Sequence, residues 1–548
     1  MDQSHNADVS EVDAVIVGAG FSGLYMLHRL RGLGFTTRLF EAAEGVGGTW
    51  YWNRYPGARC DSESHYYCYS FSDEIRREWQ WSCRYPAQPE ILQYLNFVAD
   101  RLDLKKDIEF GTRLTSGRYD EAAHGWVVET DRGETVRARF LITGVGNTST
   151  PASPNLPGLD TFGGKIYHTA LWPHEKVDFT GQRVGLIGTG SSGIQSTPMI
   201  AAEAAHLTVF QRTGNYSVPA RNYQLTDDMR REQDENYPEL RRLTLASPIG
   251  MSFESAQVSA LEMSPDERQA KLDELWDLGG FRFMFTSFND IIIDQRANAV
   301  VADYITAKIR GTVNDSAVAD VLCDFNHPAG TKRPPIDTDY YETFNRDNVS
   351  IASIRANPIR EVTPDGLTLE NGEHYALDAI VFATGFDTVT GALIKMNLHG
   401  KDGRSLAEKW QDGPRAYLGL STAGFPNLFM ITGPGSPAIL TNFPVCIEQN
   451  VEWIAGVINR MRETDAVEIE ASPEAETEWV DQIVEAADKT LFPTVDSWYM
   501  NSNLPGKPRV FTAYFNGMNT YAEICEEVAR NGYNGFELRN REMAAVPG

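Results

Sequence analysis

The sequence has no apolar run long enough to cross a bilayer, and its opening residues, MDQSHNADVSEVD, are too polar for an export signal, so a cytoplasmic protein without a membrane partner is expected. Its six cysteines (Cys60, Cys68, Cys83, Cys323, Cys446, Cys525) form no CxxC pair and no metal-ligand spacing, which predicts reduced thiols and no metal. Basic residues are few. Lys and Arg total 49 against 75 Asp and Glu, giving a net charge of -26, which argues against nucleic acid or an anionic lipid surface as partner. Any anionic ligand must then be held by locally placed basic groups. Low-complexity segments, a phosphate-transfer loop and a Ser/His/Asp order are also missing. What remains is an ordinary globular composition, 42% hydrophobic and 23% charged, over 548 residues, enough for roughly two to four domains.

One unit occurs twice. Residues 12–17, VDAVIV, read as a β-branched strand; Gly18-Ala-Gly20-Phe-Ser-Gly23 follows, then the helical pattern LYMLHRLRGLG, then a strand over 36–40 that ends at Glu41. The glycines allow a tight turn and bring backbone N–H groups to a pyrophosphate at the helix N-terminus, and Glu41 stands where a carboxylate accepts from a ribose diol. The second copy has a strand over 183–187, the turn Gly188, Gly190, Ser191 and Gly193 followed by Gln195, and a strand over 207–210. The first glycine precedes the acid by 23 residues in the first copy; the same 23 from Gly188 lands on Gln211, with Arg212 and Thr213 next. A missing carboxylate followed by a guanidinium is what a ribose 2′-phosphate requires. The first site is therefore expected to take FAD and the second NADPH.

Between these units runs FGGKIYHTALWP, residues 162–173. The spacing of Phe162, Gly164, His168, Trp172 and Pro173, flanked by two dinucleotide sites, resembles the fingerprint of Baeyer–Villiger monooxygenases, the class B flavin-dependent enzymes. A second family pattern is met by Gly47, Gly48, Trp50, Tyr55, Pro56, Gly57 and Asp61, and a third by Ala383-Thr-Gly-Phe-Asp387. The resemblance runs nearly end to end, and within the family the chain is similar to cyclohexanone, phenylacetone and steroid monooxygenases. It implies an α/β fold of two Rossmann-like dinucleotide-binding domains, for FAD and NADPH, with a helical insertion. On the motif order, 1–150 and 387–548 form the FAD domain, 151–219 and 331–386 the NADPH domain, and 220–330 the insertion, where Ser264-Pro-Asp-Glu267 reads as a capping box. The oligomeric state stays open, a monomer being compatible.

The resemblance implies an NADPH- and O2-consuming enzyme (EC 1.14.13 class) that converts ketones to esters or lactones through a C4a-peroxyflavin, with sulfoxidation as a side reaction. Such a peroxide must stay deprotonated to attack a carbonyl, so it needs a permanent cation, which an arginine provides and a buried lysine does not. By resemblance that arginine is Arg333, with Asp61 holding and tuning it. Gly48, Thr49 and Trp50 lie along the flavin beside Gly18, Gly20, Gly23, Glu41 and Asp61. Lys332 joins Arg212 and Thr213 at the 2′-phosphate, and Trp498 meets nicotinamide or substrate. His168 couples the movement of the two domains, its chemical role being left open between catalysis and conformation. Ile439, Leu440 and Phe443, in a loop of the longer phenylacetone-type form, are expected to line the pocket with Trp498, whereas 280–288, GFRFMFTSF, looks like the cyclohexanone type; bulky or aryl ketones are then expected beside cyclic ones. Two alternatives stand beside this reading: a heteroatom-oxidising or N-hydroxylating flavin monooxygenase, and a non-catalytic flavoprotein that senses NADPH.

Overall fold

A computed structural model describes residues 10–541. Strand β1 (Ser10–Val17), helix α1 (Phe21–Gly32) and strand β2 (Thr37–Phe40) form the first βαβ unit, with β1 parallel to β2. The last four residues of β1 are all buried, as a central parallel strand covered on both faces requires. The sheet around them has eight strands. Leu398–His399, Leu114–Asp120, Gly125–Thr130 and Thr135–Thr143 lie in order on one side of β1, β2 and Ile108–Glu109 on the other, and Leu428–Met430 pairs with Thr135–Thr143. Residues far apart in the chain therefore complete one sheet.

A second sheet is all parallel and has five strands. In it β3 (Arg183–Ile187) and β4 (His206–Gln211), joined by α2 (Ser191–Glu203), stand beside Val349–Ser353, Ala379–Phe382 and Lys165–His168. Helices fill most of the chain between Asp227 and Leu322. One of them, α3 (Pro265–Leu278), opens on the expected capping box: the Ser264 hydroxyl accepts from Glu267 N–H, and the Glu267 carboxylate accepts from Ser264 N–H. The short helix α4 (Arg282–Thr286) follows it closely. The segments entering and leaving this helical region pair at its neck, Val218 with Ile336 and Pro219 with Asp337. Further on, α5 (Phe443–Glu463) buries its apolar face, Val451, Ile454, Ile458 and Met461 included, in the core shared with α1.

Two strands of chain connect the sheets, and they are hydrogen-bonded to each other. Val389 N–H donates to Asn147 C=O (2.9 Å), Asp387 N–H to Thr150 C=O (2.8 Å) and Ala152 N–H to Gly385 C=O (2.9 Å). This antiparallel pair links the two sheets. Among the described residues no helix is long and apolar enough to cross a membrane.

Candidate active site

The two glycine turns are built alike. Gly18 N–H donates to Phe40 C=O (2.8 Å) and Gly188 N–H to Phe210 C=O (3.2 Å), so the residue after each acceptor, Glu41 or Gln211, occupies the equivalent place. The 23-residue count thus has a backbone cause. Neither α1 nor α2 has a side-chain cap: Gly20 and Gly190 stand at the N-cap positions, leaving the first-turn N–H groups for a ligand. A Cβ on Gly190 would meet no atom within 4 Å, so the space over the second turn is open. Over the first turn, Gly48 (φ +53°) brings its backbone so close that a Cβ there would lie 2.9 Å from the Gly20 Cα. Both turns fit a dinucleotide pyrophosphate.

Glu41 is buried and grips the turn itself, accepting from Ala19 N–H (2.6 Å) and Ala43 N–H (2.7 Å). Burial pushes its carboxyl above the ordinary range, and the two backbone bonds only partly oppose that. Gln211, equally buried, donates instead to Val321 C=O, while Arg212 is exposed and Thr213 half-buried. Lys332 lies near enough to Arg212 that, after burial, their repulsion lowers the Lys332 ammonium further, with Asp496 opposing. Arg212 and Lys332 are thus close enough in space for their charges to repel. Gln195 joins the halves: it accepts from Tyr55 O–H (2.8 Å) and donates to Arg59 C=O (3.1 Å).

His168 sits against the two segments that link the sheets. Its Nε2 faces Ala152 C=O and Thr384 Oγ1, both at 3.3 Å; its Nδ1 accepts from Ala170 N–H (3.1 Å); and Thr384 O–H donates to the same Ala152 C=O (2.7 Å). Burial keeps the imidazole below its ordinary pKa, and therefore neutral near pH 7, with the Ala152 bond opposing weakly. Trp172 is buried with Tyr167 and Phe179, Pro173 follows it half-buried, and Phe162 packs with Leu367 and Leu377. At Gly164 a Cβ would meet Asp378 C=O at 2.3 Å, which explains the glycine.

The centre is an ion pair between residues 272 positions apart. Arg333 Nε donates to Asp61 Oδ2 (2.6 Å) and Nη2 to Oδ1 (3.0 Å), a fork-to-fork bond; Nη1 donates to Ile439 C=O (3.4 Å). The Phe281 ring lies against this guanidinium, 4.8 Å from Cζ. Burial works against the Arg333 charge, and the adjacent Asp61 carboxylate more than offsets it, so the guanidinium stays charged at every working pH. Tyr499, buried beside it, has its phenol pushed up to about 12 by burial, with Arg333 pulling the other way. Trp498 is half-buried and packs on Tyr499 (4.5 Å). Trp50, buried, donates from Nε1 to Tyr67 Oη (3.2 Å); Gly48 and the exposed Thr49 precede it. Ile439 is buried and Leu440 half-buried in the turn Ala438–Leu440. Phe443 is not in that loop: it is the first residue of α5, because Pro444 and the apolar run after it favour the helix. Phe281 lies in the 280–288 stretch that the sequence marks, and Tyr499 follows Trp498, but only the packing shows that both meet Arg333.

Comparison with known proteins follows the same lines. A model of the NAD(P)-binding Rossmann-like domain matches residues 16–80. The chain is 44% identical over 539 residues to a Baeyer–Villiger monooxygenase of Pseudooceanicola batsensis, covering 98% of each. The chain belongs to the Baeyer–Villiger monooxygenase family. It is also 44% identical over 541 residues to a phenazine N-monooxygenase of Lysobacter antibioticus, covering 98% of this chain and 99% of that one. Among solved structures it is similar to closed cyclohexanone monooxygenase (TM-score 0.95, 44% identity) and to oxidised steroid monooxygenase bound to NADP (TM-score 0.93, 49% identity); each match covers 97% of this chain and all of the other. The likeness of this Baeyer–Villiger family member to those structures thus extends over nearly the whole chain, both nucleotide turns included.

Proposed function

We propose that this enzyme inserts an oxygen atom from O2 beside the carbonyl of a ketone, giving an ester or lactone, with NADPH as reductant and FAD as the oxygen-activating cofactor. The observation that carries the reading is the Asp61–Arg333 pair, placed where the segment following the first glycine turn meets the neck of the helical region. FAD bound at the first turn would supply the oxygen-activating chemistry, with NADPH at the second turn as its reductant. Glycines 18, 20 and 23, Glu41 and the 48–50 segment would hold FAD. The turn of Gly188, Gly190, Ser191 and Gly193 would hold NADPH with Gln195, Arg212, Thr213 and Lys332, and Trp498 would close the site. The sheet membership supports dividing the chain near residues 150, 219, 330 and 386.

Arg333 acts by position and charge. Asp61 fixes one edge of its guanidinium through Nε and Nη2, so the donor on the other edge, which opposes the negative charge developing on the ketone oxygen, needs no reorganisation during reaction. Its proton cannot be lost near neutral pH, which keeps the site selective for attack on electrophilic carbon. His168, neutral and tied to both linking segments, would set their relative angle and stay out of the bond-making step. Ile439, Leu440, Phe443 and Trp498 would shape the ketone pocket; apolar walls discriminate each misfitted methylene by only about 1–3 kcal/mol, which favours a broad ketone range.

A second reading, oxygen transfer to an aromatic ring nitrogen, is favoured by the likeness to the phenazine N-monooxygenase. One experiment separates them: purified enzyme with NADPH is offered cyclic, aryl and steroidal ketones and, in parallel, phenazine, with products identified by mass. Ketone plus one oxygen is the expected product. N-oxide alone would replace the first reading by the second.

A further inference from the structure

Two positions beyond Asp61, the same segment carries a second carboxylate in a second arginine fork. Glu63 is buried, 5% exposed, yet its carboxyl is held below the ordinary range: burial alone would raise it, and His65, Arg84 and Arg282 reverse that. Its Oε1 accepts from Arg84 Nη2 (2.9 Å) and lies 3.5 Å from Arg282 Nε. Both arginines attach to the flanks of one residue. Arg84 Nη1 donates to Leu278 C=O (2.7 Å), at the end of α3 and three residues before Phe281. Arg282 is the residue after Phe281 and the first of α4; its guanidinium also covers the Phe253 ring at 4.7 Å. Between them, Gly280 (φ +68°) packs on Tyr85 so tightly that a Cβ would meet its hydroxyl at 1.9 Å. Phe281, presented by this turn, is the residue whose ring lies on the Arg333 guanidinium.

We propose that Glu63 is a positioning residue for oxygen transfer: through Arg84 and Arg282 it fixes both flanks of Phe281, and Phe281 holds the Arg333 guanidinium in its place beside Asp61. The inference rests on the reading of Arg333 given above. Asp61 and Glu63, on one short segment, then set Arg333 from two sides, one by direct bonds and one through an aromatic wall. A buried carboxylate between two arginines is costly to desolvate and weak as a source of stability. Its value here is geometric, since a displacement of about 1 Å at a reacting centre costs on the order of 10²-fold in rate.

The test is a double-mutant cycle in the FAD-loaded enzyme, with Glu63→Gln made in the wild-type and in a Phe281→Leu background. Three quantities are read: the rate of flavin reduction by NADPH, kcat/KM for the ketone, and ester formed per NADPH oxidised. Glu63→Gln is expected to lower kcat/KM roughly tenfold and to divert NADPH to hydrogen peroxide, with reduction within about twofold of wild type. In the Phe281→Leu background the same change is expected to cost less than about twofold, because the route it acts through is already gone. Full loss in both backgrounds, a parallel loss of flavin reduction, or unchanged ester yield would each overturn the proposal. Should Glu63→Gln fail to assemble with FAD, Arg282→Met, which leaves the Glu63–Arg84 bond in place, enters the cycle instead, with the same expected and overturning results. A wild-type enzyme that makes no ester would sink the parent reading; an active wild type insensitive to Glu63 sinks this one alone.

Discussion

Replacing Arg333 by alanine isolates the chemistry assigned to the ion pair. The guanidinium makes two bonds to Asp61, at 2.6 and 3.0 Å, and its Nη1 reaches Ile439 C=O only loosely at 3.4 Å, so that edge is the one free to meet a substrate oxygen. Losing one such aimed donor costs about 3–4 kcal/mol in the transition state, or 10²–10³ in rate, and here a fixed positive charge is lost as well. Ester formation should therefore fall by at least about 10³. The change leaves Asp61 without its partner, but Asp61 is 25% exposed, so water can reach it and the penalty is well short of the 3–5 kcal/mol of a fully buried charge. The holoenzyme should still assemble, and NADPH, bound at the other turn, should still reduce the flavin. Arg333→Lys should fall between, because an ammonium keeps a charge but cannot engage both Asp61 oxygens, and burial lowers its pKa. Rapid mixing follows flavin absorbance for reduction, and product mass follows ester. Lactone at near-normal rate from the alanine variant would remove Arg333 from the mechanism. Equal collapse of reduction and ester formation would instead make its role one of assembly.

Arg212→Ala should raise the NADPH concentration required and leave NADH use little changed, since only the 2′-phosphate distinguishes the two; initial rates with each coenzyme decide, and equal use of both by the unmodified enzyme would refute the register argument. Deleting Ala438 and Ile439 should change relative kcat/KM among cyclic, aryl and steroidal ketones while flavin reduction persists, and an unchanged profile would show that this turn does not shape the pocket. His327, buried and beside Lys332, has its imidazole pulled down to about 3. Its unfolded counterpart takes up a proton near pH 6.5, so stability is full above that pH and is lost as pH falls toward 3, by up to about 1.4 kcal/mol per unit. Thermal melts from pH 6.5 to 5 should therefore decline less steeply for His327→Gln than for wild type, and identical slopes would contradict this.

The two nucleotide units were legible because every step in them is local. A β-branched strand, a glycine turn and a helix are set by neighbouring residues, and the count from Gly18 to Glu41 transfers to Gln211 because Gly18 N–H and Gly188 N–H bond the ends of equivalent strands. The capping box at Ser264 was legible for the same reason. The antiparallel strands Leu114–Asp120 and Gly125–Thr130 and the pairing of Ala466–Ala471 with Phe536–Asn540 were not legible, since their partners are chosen by the whole sheet. The active-site pair shows the limit most sharply. No spacing rule joins Asp61 to a residue 272 positions on, and Lys332-Arg333 by itself reads as surface charge; only the family likeness marked it.

The contacts that escaped the sequence share a physical character. Phe281, Tyr499, Glu63 and Arg84 act through contacts between segments that lie far apart in the chain, and each has the hydropathy of an ordinary core aromatic or an ordinary ion pair. Their meaning comes from the order in which they are stacked: carboxylate, arginine, backbone turn, aromatic ring, arginine. Such a chain can transmit position only if each link is rigid, and the links here are rigid for separate reasons. Arg84 is 6% exposed and bonded at both ends of its fork. Gly280 has no room for a side chain against Tyr85. Phe281 is buried between α3 and α4. The neck pairing of Val218 with Ile336 then ties the loop bearing Arg333 to the strand that enters the helical region. A shift of the helices relative to the first sheet would therefore be felt at Arg333 through two routes, the neck and the aromatic wall. The linking segments at 147–152 and 385–389, with His168 fastened across them, are where relative rotation of the two sheets would have to begin.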